Sequence, residues 1–295
     1  MLSQYDPIHL ERVLSRAEPA PRFPPIDDRV AWQTLANSLG EASIARLMRQ
    51  AESAADDSIP PLPATLFLEF HRTGRREGYQ NPQSRRREML LDLVIGECLE
   101  DEGRFLDPIL DVAWAICEES SWVLPAHQDG LTDILKPYLD LGVAMTALEM
   151  AEMDSLVGDR LDPLLRKRIH DELDRRCFRP YLIRHDHWWL YQDEGRAANW
   201  TAVCNAGIVG AALHIEKDPA RLADILARCA HSLDGYIQSF DPDGGCSEGP
   251  GYWEYGFGYY TILADLVDWR TEGAVDFLAG EKMRKVAAYP LHTLL

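Results

Sequence analysis

Apolar residues recur every three or four positions along most of the chain, the spacing that places them on one face of an α-helix. The pattern covers residues 28–39, 41–55, 84–102, 105–119, 131–153, 161–177, 199–215, 219–240, 256–269 and 271–288. No run of alternating β-branched residues indicates a strand. We therefore predict an all-α fold of helical hairpins, which can stack as a bundle, a solenoid or a toroid.

The organisation of these helices is only partly readable. The chain lacks the fixed-period repeat of a binding solenoid, which makes that architecture less expected. The segment Ser53–Pro63 is rich in polar residues and prolines and is the best internal break. We predict an N-terminal helical extension at residues 1–56 and one main helical domain at residues 57–295.

The helix predicted at residue 199 has an unusual composition, because small residues occupy much of its length. Its sequence, NWTAVCNAGIVGAAL, includes Gly207 and Gly210. A glycine inside a helix costs up to about 1 kcal/mol relative to alanine, so its presence indicates a tight packing requirement. We expect this helix to lie in an inner layer.

Charge and composition exclude several classes of function. The formal net charge of −18 argues against nucleic-acid binding. No apolar run is long enough for a membrane helix, and the N-terminus does not resemble a secretory signal, so the expected location is the cytoplasm. The six scattered cysteines form no CxxC pair and are expected to be reduced core thiols. We expect no cofactor.

Aromatic residues concentrate late in the chain, where 13 of the 27 lie between Tyr181 and Tyr260. Aromatic planes can stack on the C–H faces of sugar rings, and the same window supplies many polar side chains. Within it, the turn from Gly244 to Tyr260 is rich in glycine and places Glu248, Tyr252, Trp253 and Tyr255 at a helix N-terminus, which favours anions. A large aromatic core is the alternative explanation.

Histidines provide further candidates. His127 follows Trp122 and could line one wall of a cleft with Glu118 and Glu119, or it could be a hydrogen-bonded structural residue. The pair His185 and His187 resembles a metal-binding spacing only weakly, because no third ligand is evident, and no metal is expected. An anionic ligand would need local positive charge, for which His127, Arg184, His185, His187 and Arg196 are candidates.

Three segments together resemble a known family. EESSWVLPAH, RPYLIRHDHWWLYQDEGRAANWTAVCNAGIVGAAL and DGGCSEGPGYWEYGFGYY are similar to the helical domain of heparinase II/III-like polysaccharide lyases, over most of Pro61 to Leu295. The resemblance implies an incomplete α/α toroid followed by a β-sandwich domain. It also implies β-elimination on a polysaccharide containing uronic acid. By position, Tyr252 matches the family's catalytic tyrosine and Asn199 its carboxylate-binding asparagine.

Two departures from the family qualify this expectation. Trp200 stands where many members have histidine, so His127, His185, His187 or Arg196 would have to replace it. The sequence also ends at Leu295, before the family's β-rich domain, which predicts a truncated or weakened lyase. The predicted catalytic residues are Tyr252, Asn199 and His127, and the predicted substrate-binding residues are Trp200, Glu248, Trp253, Tyr255, Trp122, His185, His187, Trp189 and Arg196.

Two alternatives stay open beside a carbon–oxygen lyase acting on an acidic polysaccharide or oligosaccharide. One is a helical toroid that binds carbohydrate without turnover. The other is a glycoside hydrolase using two carboxyl groups about 5 to 9.5 Å apart. Its candidate carboxyl groups belong to Glu118, Glu119, Asp193, Glu194, Asp243 and Glu248.

Overall fold

The computed structural model describes residues 1–191 and 198–293, and within these ranges the chain is all-helical, with no strand. The all-α prediction is confirmed for this part of the chain. The α-helices are α1 Pro7–Leu14, α2 Arg29–Leu39, α3 Glu41–Asp56, α4 Ala64–Thr73, α5 Glu77–Glu100, α6 Leu106–Glu118, α7 Leu141–Val157, α8 Pro163–Leu173, α9 Arg179–Ile183, α10 Asn199–Ile215, α11 Pro219–Gln238, α12 Pro250–Arg270 and α13 Glu281–Thr293. Short 3-10 turns occupy Leu2–Gln4, Pro125–His127 and Gly158–Arg160, and a π-helical turn occupies Asp174–Phe178.

Two predicted helices are longer in the sequence pattern than in the structure. Residues 131–140 are irregular, and the Asp133 carboxylate accepts a hydrogen bond from the Leu135 amide at 2.9 Å, which stabilises a turn instead. Residues 271–280 also lie outside a helix. There Glu272 and Gly273 adopt left-handed φ angles of 50° and 81°, which end α12.

The described chain groups into two compact units. The first comprises Met1–Ala20, Tyr138–Leu148 and Arg176–Leu295, and the second comprises Pro21–Pro137 and Glu149–Arg175. The boundary predicted at residue 56 coincides with the limits of neither unit, and the division into an extension and a main domain stays a prediction. Among the described residues, no helix has the length and apolar character needed to cross a membrane.

Helix α10 forms the centre of the first unit. It packs against α11 and α12, and its residues from Thr201 to Leu213 are all buried. At Gly207 the backbone of residue 144 comes so close that an added Cβ atom would lie 2.2 Å from the Ala144 carbonyl oxygen. The small residues of this helix therefore serve close packing, as their pattern indicated.

A buried polar network joins α10 to its neighbours. The Tyr181 hydroxyl donates to Asn205 Oδ1 at 2.5 Å, and Asn205 Nδ2 donates to Ser232 Oγ at 2.9 Å. The Thr201 hydroxyl donates to the Trp189 carbonyl at 2.7 Å. Because buried polar groups are costly unless paired, this network fixes the segment before α10 against the helix core.

The second unit is built around α5, on which α3, α4 and α6 pack. Its strongest buried ion pairs join two arginines of α5 to one carboxylate: Arg86 Nη1 and Arg87 Nη1 lie 3.1 and 2.5 Å from Glu119 Oε1. Removing either partner of such a pair leaves an uncompensated buried charge. The ion pairs therefore fix the segment that follows α6.

Candidate functional site

The glycine-rich turn after α11 is fixed by contacts with α13. Gly244 has a φ angle of 96°, and an added Cβ atom there would lie 2.3 Å from the Lys285 carbonyl oxygen. The Lys282 ammonium donates to the carbonyl oxygens of Phe240 and Asp241, the second at 2.6 Å. Both contacts depend on the backbone conformation of this turn. The same conformation places Glu248 beside the first residue of α10.

Glu248 caps α10 through two hydrogen bonds to one residue. The backbone N–H of Asn199 donates to Glu248 Oε2 at 2.8 Å, and Asn199 Nδ2 donates to Glu248 Oε1 at 3.0 Å. A carboxylate at a helix N-terminus is stabilised by the unpaired amides and the helix dipole. Asn199 is 6% exposed, so its side chain is held against α12 rather than extended into solvent.

The crossing of α10 and α12 at this point depends on a glycine. A Cβ atom added to Gly256 would lie 2.7 Å from the Tyr236 hydroxyl and 3.0 Å from Asn199 Cα. The absence of a side chain at Gly256 therefore sets how closely the Asn199–Glu248 pair approaches the first two turns of α12.

Tyr252 lies on the first turn of α12 and is 57% exposed. It lines an open depression of about 370 Å³ with Glu248, Tyr255 and residues 249–251. Its hydroxyl makes no hydrogen bond to any residue that the structure describes. The sequence therefore predicted correctly that this turn presents a tyrosine at a helix N-terminus beside Glu248.

The other aromatic residues of this turn are less exposed. Tyr255 is half-buried, its hydroxyl lies 3.8 Å from Met145 Sδ, and burial raises its pKa to about 12. Trp253 donates its indole N–H to the Val286 carbonyl at 2.9 Å, which attaches α12 to α13. Tyr255 thus stays a hydrogen-bond donor at neutral pH, whereas Trp253 has a structural contact that the sequence did not reveal.

Three tryptophans lie close to Asn199 in the sequence. Trp188 is 52% exposed, and its ring centroid lies 5.2 Å from that of Trp200. Trp189 is fully buried and donates to the Leu139 carbonyl at 2.9 Å. Trp189 therefore supports this segment from the core and presents no face to a ligand, contrary to its predicted substrate-binding role, whereas the Trp188–Trp200 pair does reach the surface.

His187 is buried among aromatic rings. It is 2% exposed, stacks on Trp189 with ring centroids 5.7 Å apart, and lies 5.3 Å from the Tyr138 ring. Neither of its ring nitrogens has a hydrogen-bond partner among the described residues. Burial lowers its pKa to about 4, with further lowering by Arg184, so at neutral pH it carries no charge for an anionic ligand.

Two arginines, one of them paired with a carboxylate, lie close to His187. Arg184 forms two hydrogen bonds with Asp186, at 2.9 and 2.8 Å, and holds the pKa of that carboxyl well below its usual range. Arg228 donates to the Arg184 carbonyl, approaches His185 Nδ1 at 3.5 Å and lies over the Tyr191 ring. Arg228 was not among the predicted residues, although its polar position on the amphipathic helix α11 is visible in the sequence.

The remaining candidate residues fall into two groups. Arg196, Asp193 and Glu194 lie outside the described residues. Trp122 and His127 belong to the second unit. Trp122 is 1% exposed and donates to the Ile116 carbonyl at 2.9 Å, so its ring is part of that unit's core and cannot stack on a sugar at the surface.

His127 ends the 3-10 turn Pro125–His127 and is half-buried. Its predicted catalytic role stays a prediction. All six cysteines are buried, and none forms a disulfide bond in the part of the chain that the structure describes.

Two comparisons with known proteins identify no relative. No protein-family model matches the chain, and no curated protein is significantly similar to it. The resemblance to heparinase II/III-like lyases therefore rests on the residues of the three segments themselves.

Proposed function

We propose that the chain is the helical, incomplete α/α toroid part of a polysaccharide lyase that cleaves uronic-acid-containing saccharides by β-elimination. The observation that carries this proposal is the exposed hydroxyl of Tyr252 beside the Asn199–Glu248 pair. A proton-transfer residue must be reachable by substrate, and Tyr252 lies in an open depression that Glu248 also lines.

The proposed reaction begins with loss of the proton at C5 of a uronic acid. The phenolic oxygen of Tyr252 takes this proton while hydrogen bonds to the C5 carboxylate stabilise the developing charge. The electron pair forms the C4–C5 double bond, the bond from C4 to the bridging oxygen breaks, and that oxygen receives a proton. In this scheme the second amide N–H of Asn199, beyond the one bonded to Glu248, binds the C5 carboxylate once substrate displaces the packing that keeps Asn199 6% exposed.

Other features of the first unit support a saccharide ligand. The Trp188–Trp200 pair supplies an exposed aromatic surface next in sequence to Asn199. The raised pKa of Tyr255 keeps its hydroxyl protonated at neutral pH, so it can donate a hydrogen bond to substrate or protonate the leaving oxygen. Arg228, which donates to the Arg184 carbonyl, adds positive charge to the first unit of a chain whose net charge is −18.

The test is turnover of uronate polymers followed by the ultraviolet absorbance of the unsaturated product. Alginate, heparin and chondroitin sulfate cover the main types of uronate linkage. We expect activity on one of them and its loss in Tyr252→Phe, which removes only the hydroxyl. Tyr289→Phe is the matched control, since Tyr289 is a half-buried tyrosine that contacts Trp253 from α13. Full activity in Tyr252→Phe would refute the proposed role.

One observation favours a second candidate, carbohydrate binding without turnover. Glu248 already occupies the α10 N-terminus and engages Asn199 through both of its carboxylate oxygens. A substrate carboxylate approaching the same amide meets a negative charge. Binding of oligosaccharides by the unmodified chain, with no unsaturated product from any uronate, would support this candidate over the lyase.

A glycoside hydrolase fits the site less well. Both oxygens of the Glu248 carboxyl group are engaged by Asn199, and no second carboxyl group among the described residues lines the depression beside Tyr252, whereas hydrolysis needs two. Full loss of activity in Glu248→Gln with a fully active Tyr252→Phe would reverse this preference.

A further inference from the structure

The second unit contains a cavity that plays no part in the proposed elimination. It has a volume of about 570 Å³ and is bounded by α4, α5, α6 and the segment after α6. Pockets for small molecules usually measure about 300 to 1,000 Å³ and combine apolar walls with a few polar groups. This cavity has both kinds of lining.

The floor of the cavity is a buried polar cluster whose hydrogen bonds are already made. Arg86 donates through Nε and Nη2 to the Pro60 carbonyl at 2.9 and 2.8 Å, and through Nη1 to the Ala115 carbonyl at 3.0 Å and to Glu119 at 3.1 Å. The Glu119 carboxylate also accepts from Arg87 at 2.5 and 2.7 Å. Counted with Glu118 at the rim, the two arginines meet two carboxylates and the formal charges sum to zero. Arg86 is held by protein acceptors, so the floor is rigid and favours a ligand without net charge.

The rim, in contrast, has free hydrogen-bonding groups. Glu118 accepts from the Trp114 indole through Oε1 at 2.8 Å, and its Oε2 has no partner among the residues that the structure describes. The exposed Ser120 hydroxyl likewise makes no bond within the described chain. The Ser121 oxygen accepts from the Val123 amide at 3.1 Å, which leaves its proton available. One acceptor and two hydroxyl groups thus lie within four consecutive residues, a set that can hydrogen-bond to ligand hydroxyls as both donor and acceptor.

The opposite walls are apolar. Phe67 and Tyr79 pack edge to face with ring centroids 5.0 Å apart, and the 6% of each residue that stays exposed leaves an edge of the ring to line the cavity. Leu131 and Ile134 stand at its mouth, 54% and 52% exposed, so a ligand entering there would cover apolar surface that now faces water. A ligand that matches this cavity has one polar edge, one C–H face and no net charge.

We propose that this cavity binds a single neutral pyranose ring, with its hydroxyls at Glu118, Ser120 and Ser121 and its C–H face toward Phe67 and Tyr79. The proposal does not rest on the lyase activity, because every residue that lines the cavity belongs to the second unit. The unpaired oxygen of Glu118 disfavours a uronate here, which makes this site chemically different from the one beside Tyr252.

The test uses the full chain and measures binding of methyl glucopyranoside, methyl galactopyranoside and methyl mannopyranoside by calorimetry. Tryptophan fluorescence is a second measure, and Trp114→Phe identifies the part of it that comes from the ring bonded to Glu118. We expect at least one of these glycosides to bind, with methyl glucuronide bound on the order of tenfold more weakly, equivalent to about 1.4 kcal/mol. Ala64→Phe should remove binding, because Ala64 is exposed and lines the cavity.

Thr65→Phe is the matched control, since Thr65 is the exposed neighbour of Ala64 and does not line the cavity. It should bind as the unmodified chain does, and Ser120→Ala should bind more weakly. The proposal is overturned if no neutral glycoside binds, if Ala64→Phe binds normally, or if cyclohexanol binds as well as the glycosides. Loss of lyase activity in Tyr252→Phe would leave these results unchanged.

Discussion

Two glycines on α12, two positions apart, provide a direct test of the helix crossing beside Asn199. Gly256→Ala adds a Cβ atom 2.7 Å from the Tyr236 hydroxyl and 3.0 Å from Asn199 Cα. Tyr236 is 2% exposed, so its ring cannot move aside without disturbing the core. Gly258→Ala adds the same atom where nothing lies within 4 Å.

Both substitutions gain the same helix propensity, about 1 kcal/mol relative to glycine, so this contribution cancels when the two variants are compared. The two variants differ in overpacking at residue 256. Inserting an extra carbon atom into a well-packed core lowers stability by about 1 to 3 kcal/mol. We therefore expect Gly256→Ala to be less stable than Gly258→Ala by about 2 kcal/mol, which corresponds to about 3 °C in Tm for a chain of this size.

Thermal and urea unfolding of the two variants measure this difference. Hydrogen exchange at the Asn199 amide adds a local measure, because α12 must move away from α10 in Gly256→Ala and weaken the bond to Glu248. Equal stability of the two variants, with unchanged exchange at Asn199, would refute the close approach of α12 to α10 at Gly256.

Two further predictions concern the core of the first unit. Gly207→Ala should destabilise the chain by more than about 2 kcal/mol, because its Cβ atom would meet the backbone carbonyl of Ala144 at 2.2 Å and a backbone cannot yield as a side chain can. Urea unfolding at neutral pH measures this, and a stable Gly207→Ala variant would contradict the packing of α10.

His187 should make stability depend on pH, because its pKa falls from 6.5 to about 4 in the folded chain and the unfolded chain therefore binds more protons between these values. Stability should fall as the pH is lowered from about 6.5 to about 4, by up to about 3 kcal/mol, and His187→Phe should lose this part of the acid dependence. Urea midpoints at several pH values measure it, and identical profiles for the two proteins would count against the buried neutral imidazole.

Hydrophobic periodicity was sufficient to predict where most helices lie, because burial of one face decides helix formation in such segments. It was wrong at residues 131–140 and 271–280, where local turn chemistry prevails over an apolar pattern. Leu131 and Ile134 match the helical spacing, yet they lie in an irregular segment and are exposed. A pattern of apolar positions indicates an apolar face, but it does not show whether another element packs on that face.

The candidate site was predictable where its residues are neighbours in sequence. The turn before α12 fixes Glu248 and Tyr252 through glycine and proline positions that are readable in the chain. The bonds between Asn199 and Glu248 join residues 49 positions apart, and no local signal indicates them. Composition likewise could not separate the buried Trp122 and Trp189 from exposed rings such as Trp188, because aromatic residues serve both cores and binding surfaces.

The last prediction separates two effects of Glu248 in the proposed site: its negative charge and its hydrogen bonds to Asn199. A substrate carboxylate held by the Asn199 amide would lie close to the Glu248 charge. Two unit charges about 6 Å apart repel each other by about 3 kcal/mol at an effective dielectric constant near 20. Solvent screening at this half-buried position reduces the repulsion, so we expect about 1 kcal/mol, or about fivefold in affinity.

Glu248→Gln keeps one acceptor oxygen for Asn199 and removes the charge, whereas Glu248→Ala removes both. Glu248→Gln should therefore lower the KM for a uronate substrate about fivefold with kcat maintained, or lower the Kd of an acidic oligosaccharide if the chain only binds. Glu248→Ala should lose stability by about 1 to 3 kcal/mol because the start of α10 is left uncapped, while Glu254→Ala, an exposed control on α12, should not. A higher KM in Glu248→Gln would show that Glu248 contacts the substrate favourably, and the electrostatic argument would then be wrong.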